Sequence, residues 1–322
     1  MIRSVLISVA SAASLLVAAS CGSDNTGASV EAERIDVVAT FYPIAWMVEQ
    51  IGGPRVRVTN LTPPGVEPHD LELAPDQVET LTNADVVVVM GRDFQPGPEK
   101  IAAQRLKPTI VLLDVVGAAD KADDNADGSV GNEQVGGAGG RALAPRAGLD
   151  PHVWLDPKHF SVARAAIVRT LITADPTGAV EYARRSDELG VALGDLDASM
   201  EEGLKTCARR TIVTAHEAFG RLAARYGLTQ EGIAGLSPDA EPDPQRIADL
   251  ADLLKKEGVT TVFFEELAPQ NFADTLAREA GVQTAVLSPL EAPTSRELAN
   301  GGSYLTIMRS NLKTLRVALD CT

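Results

Sequence analysis

Residues 35–61, IDVVATFYPIAWMVEQIGGPRVRVTNL, pass from a strand pattern to a helix pattern and back to a strand pattern. The β-rich apolar runs are residues 35–40 and 56–61. Between them, apolar side chains recur at the spacing of one helix face: Ile44, Met47, Val48 and Ile51. A strand, a helix and a second strand in this order predict a parallel βαβ unit.

The same alternation continues along the chain. Further β-rich apolar runs occupy residues 86–90, 109–113, 211–214, 260–264 and 283–287. Helical stretches separate them, and the runs fall into one group in each half of the chain. The sequence therefore predicts an α/β protein with two parallel sheets, each flanked by helices.

The stretch between the two halves, residues 176–205, contains no cluster of turn residues. Its large apolar side chains recur every three or four positions: Leu189, Leu193, Leu196, Met200 and Leu204. This spacing predicts one amphipathic helix of about 45 Å. We expect it to join an N-terminal lobe, residues 35–175, stiffly to a C-terminal lobe, residues 206–322.

The N-terminus has the pattern of a bacterial secretion signal, predicted to cover residues 1–20. Arg3 precedes an apolar run at residues 5–17, and small residues lead to Cys21. The run is too short to span a bilayer core of ~30 Å. A cysteine at this place is typical of a lipoprotein, so we hypothesise a lipidated Cys21 followed by a flexible tether at residues 21–34. The alternative is an ordinary secreted protein.

Two other cysteines, Cys207 and Cys321, remain in the mature chain. Thiols tend to pair in an oxidising compartment, so a disulfide between them is predicted, with two free thiols as the alternative. Residues 117–148 are rich in Gly, Ala and Asp and are predicted to be a disordered acidic loop. That loop either collects cations or is a tolerated insertion.

The chain is acidic, with 44 Asp and Glu against 29 Lys and Arg and a formal net charge of −15. Such a surface repels nucleic acid and anionic lipid and attracts cations. Neither DNA nor a bilayer surface is therefore the expected ligand.

Three of the four histidines, His69, His152 and His216, follow strands or loops where parallel α/β proteins bind ligands. The fourth, His159, lies at a predicted helix start and is expected to be exposed. Neutral imidazoles favour zinc, and a tetrahedral site needs one more donor beside three nitrogens. Spacing alone leaves four carboxylates open as that donor: Glu67, Glu217, Glu265 and Glu291.

Seven short motifs resemble the zinc and manganese solute-binding lipoproteins of metal ABC importers, the cluster A-I family. They are EPHDLEL at 67–73, NADVV at 83–87, DPHVWLDP at 150–157, TAHEAF at 214–219, SPDAEP at 237–242, FFEE at 263–266 and SPLE at 288–291. The resemblance implies two pseudo-symmetric α/β lobes joined by a rigid helix, with a metal ion in the cleft between them. It also implies the zinc type of ligand set, His69, His152 and His216, with Glu291 as the assigned fourth ligand and water as the alternative. Ser288 stands where many relatives carry Asp, which removes an alternative carboxylate.

By this resemblance we expect an extracytoplasmic, lipid-anchored and monomeric receptor that binds Zn²⁺ as its transported ligand. Its partners would be a membrane permease and the ATPase of an ABC importer. A manganese receptor and a surface adhesin are alternatives. A zinc hydrolase is a remote one, because Glu291 would close the open metal position that catalysis needs and the chain has no His-Glu-x-x-His helix. The protein is therefore expected not to be an enzyme.

Overall fold

The computed structural model describes residues 34–126, 150–238, 242–265 and 270–322, and these contain two parallel four-stranded sheets. The strand order is β2-β1-β3-β4 in the first sheet and β6-β5-β7-β8 in the second. The strands are β1 Ile35–Ala39, β2 Val56–Asn60, β3 Val86–Val89, β4 Thr109–Val111, β5 Thr211–Thr214, β6 Thr229–Gly232, β7 Thr261–Phe264 and β8 Gln283–Val286. The identical orders confirm the predicted α/β fold with two similar lobes.

Two strands differ from the sequence prediction. The run at 109–113 is a strand only to Val111, and a helix begins at Leu112. Strand β6 was missed because its sequence, Thr-Gln-Glu-Gly, has no apolar alternation. It lies at the edge of its sheet and pairs only with β5, so little of its surface has to be apolar.

The helices cover the faces of both sheets. They are α1 Tyr42–Gly52, α2 Pro75–Asn83, α3 Pro96–Ala102, α4 Leu112–Ala126, α5 Pro157–Ala174, α6 Ala179–Leu204, α7 Gly220–Arg225, α8 Pro244–Glu257, α9 Gln270–Ala280, α10 Ser295–Ala299 and α11 Tyr304–Leu319. Helix α1 follows the predicted pattern, since its apolar face, including Ile44 and Met47, is fully buried. None of the helices in the described part of the chain is long and apolar enough to cross a membrane.

Helix α6 confirms the long helix predicted between the lobes. Its 26 residues span about 39 Å, and all five predicted core positions, Leu189 to Leu204, are buried. It packs against α1, α5 and α11. At Gly203, a Cβ atom would stand 2.9 Å from Leu312 of α11, so this glycine allows the close approach of the two helices. One continuous apolar core therefore runs from the first lobe through α6 to α11.

The prediction of a disordered loop at 117–148 is wrong at its start, because α4 continues to Ala126. The helix begins with Leu112, Leu113 and Val116, which are buried in the core and anchor the following turns. Asp120 Oδ1 of α4 also lies 3.0 Å from His159 Nε2 of α5. His159 is at a helix start as predicted, but it is half-buried rather than exposed. Residues 127–148 lie outside the described part of the chain.

A disulfide joins Cys207 to Cys321, as predicted. The segments on either side of the bridge, residues 206–208 and 320–322, run antiparallel. The Thr322 N–H donates to Thr206 O (3.0 Å), and the Ala208 N–H donates to Asp320 O (3.2 Å). The bridge thus fastens the C-terminus to the segment between α6 and β5. The predicted signal peptide, Cys21 and most of the tether lie outside the described residues.

Candidate metal centre

Four side chains from separate loops converge between the two sheets. His69 lies in the loop after β2, His152 precedes the short 3-10 turn Val153–Leu155, His216 lies two residues beyond β5, and Glu291 follows β8. One ligand atom from each lies within 4.8 Å of every other. The structure therefore brings together all four residues predicted as a ligand set, two from each lobe.

The distances within this cluster suit a tetrahedral ion. Oε1 of Glu291 lies 3.0 Å from His152 Nε2 and 3.6 Å from Nε2 of both His69 and His216. Ligand atoms held at 2.0–2.2 Å from a tetrahedral zinc stand roughly 3.3–3.6 Å from one another. A zinc ion between the four side chains thus requires only small movements of the donors.

The same donor atoms lack hydrogen bonds within the described residues. Nε2 of His69, His152 and His216 and both carboxylate oxygens of Glu291 are buried without a hydrogen-bond partner. Leaving such groups buried and unpaired costs about 1–3 kcal/mol each, and more for charged groups. Five convergent unpaired donors are therefore best explained by a bound cation that all of them contact.

Two further carboxylates orient two of the histidines. Asp150 Oδ1 lies 2.7 Å from His152 Nδ1, and Glu265 Oε1 lies 2.5 Å from His216 Nδ1. A proton on each Nδ1 leaves the Nε2 lone pair free to face the cluster. Asp150 was not identified from the sequence, although its position two residues before His152 was the available signal.

The other carboxylates that the sequence left open have different places. Glu265 stands behind His216 on its Nδ1 side and is not among the four converging donors. Glu67 accepts the backbone N–H of His69 (3.2 Å), and Glu217 is exposed. Glu291 alone of these four contacts the histidine Nε2 atoms.

His69 is held differently from the other two histidines. In residues 34–126, 150–238, 242–265 and 270–322, no carboxylate lies within ion-pair distance of its Nδ1. Its ring instead packs against that of Phe94, with ring centroids 4.4 Å apart and an interplanar angle of 61°. Phe94 is buried and also contacts Trp154, at 5.5 Å between centroids. Packing rather than a hydrogen bond orients this imidazole.

The profile of the family described as "ZnuA: Zinc-uptake complex component A periplasmic" matches residues 37–318. The chain belongs to this family. Membership confirms the resemblance that the sequence motifs indicated. The family is a component of zinc-uptake complexes and not a family of enzymes.

Individual relatives agree with the family. The high-affinity zinc uptake system protein ZnuA of Bacillus subtilis (strain 168) is 34% identical over 313 residues, which cover 96% of this chain and 95% of that protein. The zinc-binding lipoprotein AdcA of Streptococcus pneumoniae (strain ATCC BAA-255 / R6) is 32% identical over 295 residues, 89% of this chain. Those residues are 56% of AdcA, so the chain spans just over half the length of that relative.

The fold also matches a solved zinc-bound structure. The crystal structure of the Zn(II)-bound ZnuA-like domain of Streptococcus pneumoniae AdcA superimposes with a TM-score of 0.71 at 31% identity. The match covers 89% of this chain and 99% of that domain. The two-lobed architecture is therefore that of the zinc-uptake component A family.

In this family member, hydrogen bonds hold the turn that carries Glu291. Leu290 has a left-handed backbone (φ 62°), and its N–H donates to the Ser288 hydroxyl (3.2 Å). Asn311 of α11 clamps the turn by donating to Ser288 O (2.7 Å) and accepting from Ser288 N–H (3.0 Å). Ser288 thus acts as a hydrogen-bonding residue of the turn and stays outside the donor cluster.

Hydrogen bonds also join the lobes beside the cluster. The indole N–H of Trp154 donates to Pro289 O (2.7 Å), and the Tyr304 hydroxyl donates to Trp154 O (2.6 Å). Both aromatic side chains are fully buried. The two halves of the site are thus in direct contact next to His152 and Glu291.

Proton affinities in the cluster reflect its charges. Burial opposes protonation of His216, but the Glu265 and Glu291 carboxylates raise its pKa well above the ordinary value. His152 behaves in the same way, since Asp150 and Glu291 outweigh burial and raise its pKa. Burial would raise the pKa of Glu291, but the histidines hold it well below the ordinary range. All three shifts have the same cause, the close approach of imidazoles and carboxylates in a buried cluster.

Proposed function

We propose that this chain is an extracytoplasmic zinc receptor of a metal-importing ABC transporter. The observation that carries the proposal is the convergence of three imidazole Nε2 atoms and the Glu291 carboxylate, all buried and without hydrogen-bond partners among the residues that the structure describes. Membership of the zinc-uptake component A family supports zinc as the transported ion. The zinc ion is cargo in this proposal, taken up between the lobes and handed to a permease.

The donor set favours zinc over manganese. Imidazole suits zinc, whereas carboxylate, carbonyl and water oxygens suit manganese, which also prefers more than four ligands. Here three of the four converging donors are imidazoles, and the buried cluster lies between two lobes in contact. We therefore assign His69, His152, His216 and Glu291 as the zinc ligands.

Zinc binding here serves transport and not hydrolysis. A catalytic zinc keeps one position open for water, and a base beside that water is needed. Glu291 is already within 3.6 Å of all three Nε2 atoms and takes the fourth position. The carboxylates of Asp150 and Glu265 are engaged with imidazole Nδ1 atoms, and that of Glu67 accepts the backbone N–H of His69.

The remaining parts of the proposal concern the membrane. A diacylglycerol group on Cys21 would anchor the receptor, with residues 22–34 as tether, so that one monomer meets a permease whose ATPase powers import. The zinc-binding lipoprotein AdcA, a relative at 32% identity, supports the anchor. Radioactive palmitate should label the wild-type chain in cells and leave a Cys21→Ala variant unlabelled.

The receptor function is tested by titration of the metal-stripped protein with Zn²⁺ and with Mn²⁺ in a calorimeter. One tightly bound zinc per chain and much weaker manganese binding are expected. A strain without the gene should grow poorly in zinc-depleted medium and recover when zinc is added. Preferential manganese binding, or a growth defect that manganese relieves, contradicts the proposal.

A further inference from the structure

Loop 91–95 has an unusual backbone and carries Phe94, which packs against His69. Gly91, Arg92 and Asp93 all have left-handed φ angles, +95°, +57° and +62°. Such angles are disfavoured for residues with a Cβ atom, and two of the three residues have one. Gly91 cannot be replaced without a clash, because a Cβ there would stand 2.4 Å from Val111. Something outside the loop must therefore stabilise this conformation.

The carboxylate of Glu99 on helix α3 contributes to this. Oε1 of Glu99 accepts the N–H groups of Gly91 (3.1 Å) and Gln95 (3.0 Å), and Oε2 accepts that of Asp93 (2.9 Å). Hydrogen bonds to a charged acceptor are roughly twice as strong as neutral ones. The three bonds reach both ends and the middle of the loop, so they fix its whole course from α3.

We propose that Glu99 is a positioning residue for the zinc ligand His69. By holding loop 91–95, Glu99 keeps the Phe94 ring packed against the imidazole, at 4.4 Å between centroids. Phe94 is 3% exposed and is packed against Phe41 and Trp154. A shift of the loop therefore shifts the contact between Phe94 and His69. Each of the other two histidines has a carboxylate at its Nδ1 atom. His69 has no such carboxylate among the described residues, so it depends on packing for its orientation.

The inference rests on the proposed zinc-binding function. It predicts that the effect of Glu99 on zinc affinity depends on His69. Loss of Glu99 should weaken zinc binding only while His69 is present to be positioned. A purely structural role would lower the stability of the lobe and leave that dependence absent. A double-mutant cycle separates the two roles.

The test measures the zinc dissociation constant by chelator competition for the full chain and for Glu99→Ala, His69→Ala and the double variant. Glu99→Ala should weaken binding about tenfold, as loss of a group that orients a metal ligand does. In the His69→Ala background it should change the dissociation constant less than about twofold. Glu79→Ala is the matched control, an exposed glutamate on α2 of the same lobe, and should bind zinc as the wild type does.

Thermal unfolding of the metal-free variants accompanies the cycle. Glu99→Ala should lower the melting temperature equally in both backgrounds, which shows that stability and positioning are separate effects. If Glu99→Ala does not fold, Glu99→Gln replaces it, because its amide oxygen keeps one acceptor; a loss of about threefold is expected.

The outcomes distinguish the two proposals. Equal loss of affinity in both backgrounds, or unchanged affinity in Glu99→Ala, overturns the positioning role of Glu99. Absence of zinc binding by the wild-type chain overturns the receptor function itself. A Glu99 effect that disappears without His69 supports the inference.

Discussion

His216 and His69 contact the same carboxylate oxygen at the same distance, 3.6 Å, yet different forces hold them. His216 follows β5 directly, is fully buried, and its Nδ1 lies 2.5 Å from Glu265. His69 lies in a long loop after β2, is partly exposed, and is oriented by the ring of Phe94. One ligand is therefore fixed by a charged hydrogen bond at a sheet end, and the other by packing against a strained loop.

The difference indicates where the site can open. A ligand held by a buried hydrogen bond cannot turn without leaving a charge unpaired, whereas a ligand held by packing can move when its neighbour moves. We therefore expect His216, and His152 with its bond to Asp150, to stay fixed, and His69 to be the ligand that adjusts when zinc binds.

The largest expected effect comes from removing the rigid ligand. His216→Ala should weaken zinc binding more than about a hundredfold, because it removes a bond to the metal and leaves Glu265 buried without its imidazole. His159→Ala is the matched control, since this histidine contacts Asp156 and Asp120 away from the cluster. Calorimetry of both variants checks the prediction, and an equal loss in the two would contradict the ligand set.

Removing only the orienting group should have a smaller effect. Glu265→Gln replaces the charged acceptor at His216 Nδ1 with a neutral one, and zinc binding should weaken about tenfold. Phe94→Leu keeps an apolar side chain beside His69 and removes only part of the packing, so it should weaken zinc binding about threefold. A stronger effect of Phe94→Leu than of Glu265→Gln would reverse the comparison of the two histidines.

A change of pH should alter the zinc affinity more gradually than these substitutions do. His216 and His152 have raised pKa values in the metal-free protein, and burial and the nearby Glu291 raise the pKa of Glu67 to about 8. Folding therefore binds protons, so the stability these histidines supply is complete below their ordinary pKa and is lost as pH rises through the raised values. Zinc must displace the same protons, and its affinity should increase with pH, by up to about tenfold per unit for each proton displaced.

Thermal unfolding with and without zinc between pH 6 and 8.5 measures both trends. The metal-free melting temperature should fall with rising pH while the shift caused by zinc grows. A zinc-induced shift that stays constant over this range would mean that binding displaces no protons.

The smallest effect on zinc affinity is expected from the disulfide. Replacing Cys207 and Cys321 by serine opens a loop with a sequence separation of 114 residues and should reduce the free energy of unfolding by about 2–4 kcal/mol. The bridge fastens the C-terminus to the segment before β5 and does not contact the four ligands, so the zinc dissociation constant should stay within twofold. Urea unfolding and calorimetry of the double serine variant check the two parts; a large loss of affinity would show that the bridge also holds the site.

Much of the fold was predictable because apolar periodicity reports burial directly. The runs in β1, β3 and β7 and the leucine row of α6 lie where the pattern placed them. Strand β6 escaped because an edge strand needs few apolar residues, and the first turns of the acidic loop proved helical because Leu112, Leu113 and Val116 anchor α4. The apolar periodicity of a segment is a weak signal wherever a neighbouring element stabilises that segment.

For the site, the sequence indicated which residue types converge and left the supporting contacts open. The three histidines stood out by their places after strands and loops, and the family resemblance selected Glu291. Asp150 behind His152 and Glu99 beneath loop 91–95 were not identified, because their roles depend on which nitrogen or which N–H they face. Such roles arise from three-dimensional distances that no local pattern encodes.

X-ray absorption at the zinc edge tests the assigned ligand set most directly. For the zinc-loaded protein, we predict three imidazole nitrogens and one carboxylate oxygen, all at about 2.0–2.2 Å in a tetrahedral shell. The spectrum of Glu291→Ala should retain the three imidazoles with water in place of the carboxylate. Fewer than three imidazoles in the wild type, or a six-coordinate oxygen-rich shell, would contradict the site of His69, His152, His216 and Glu291.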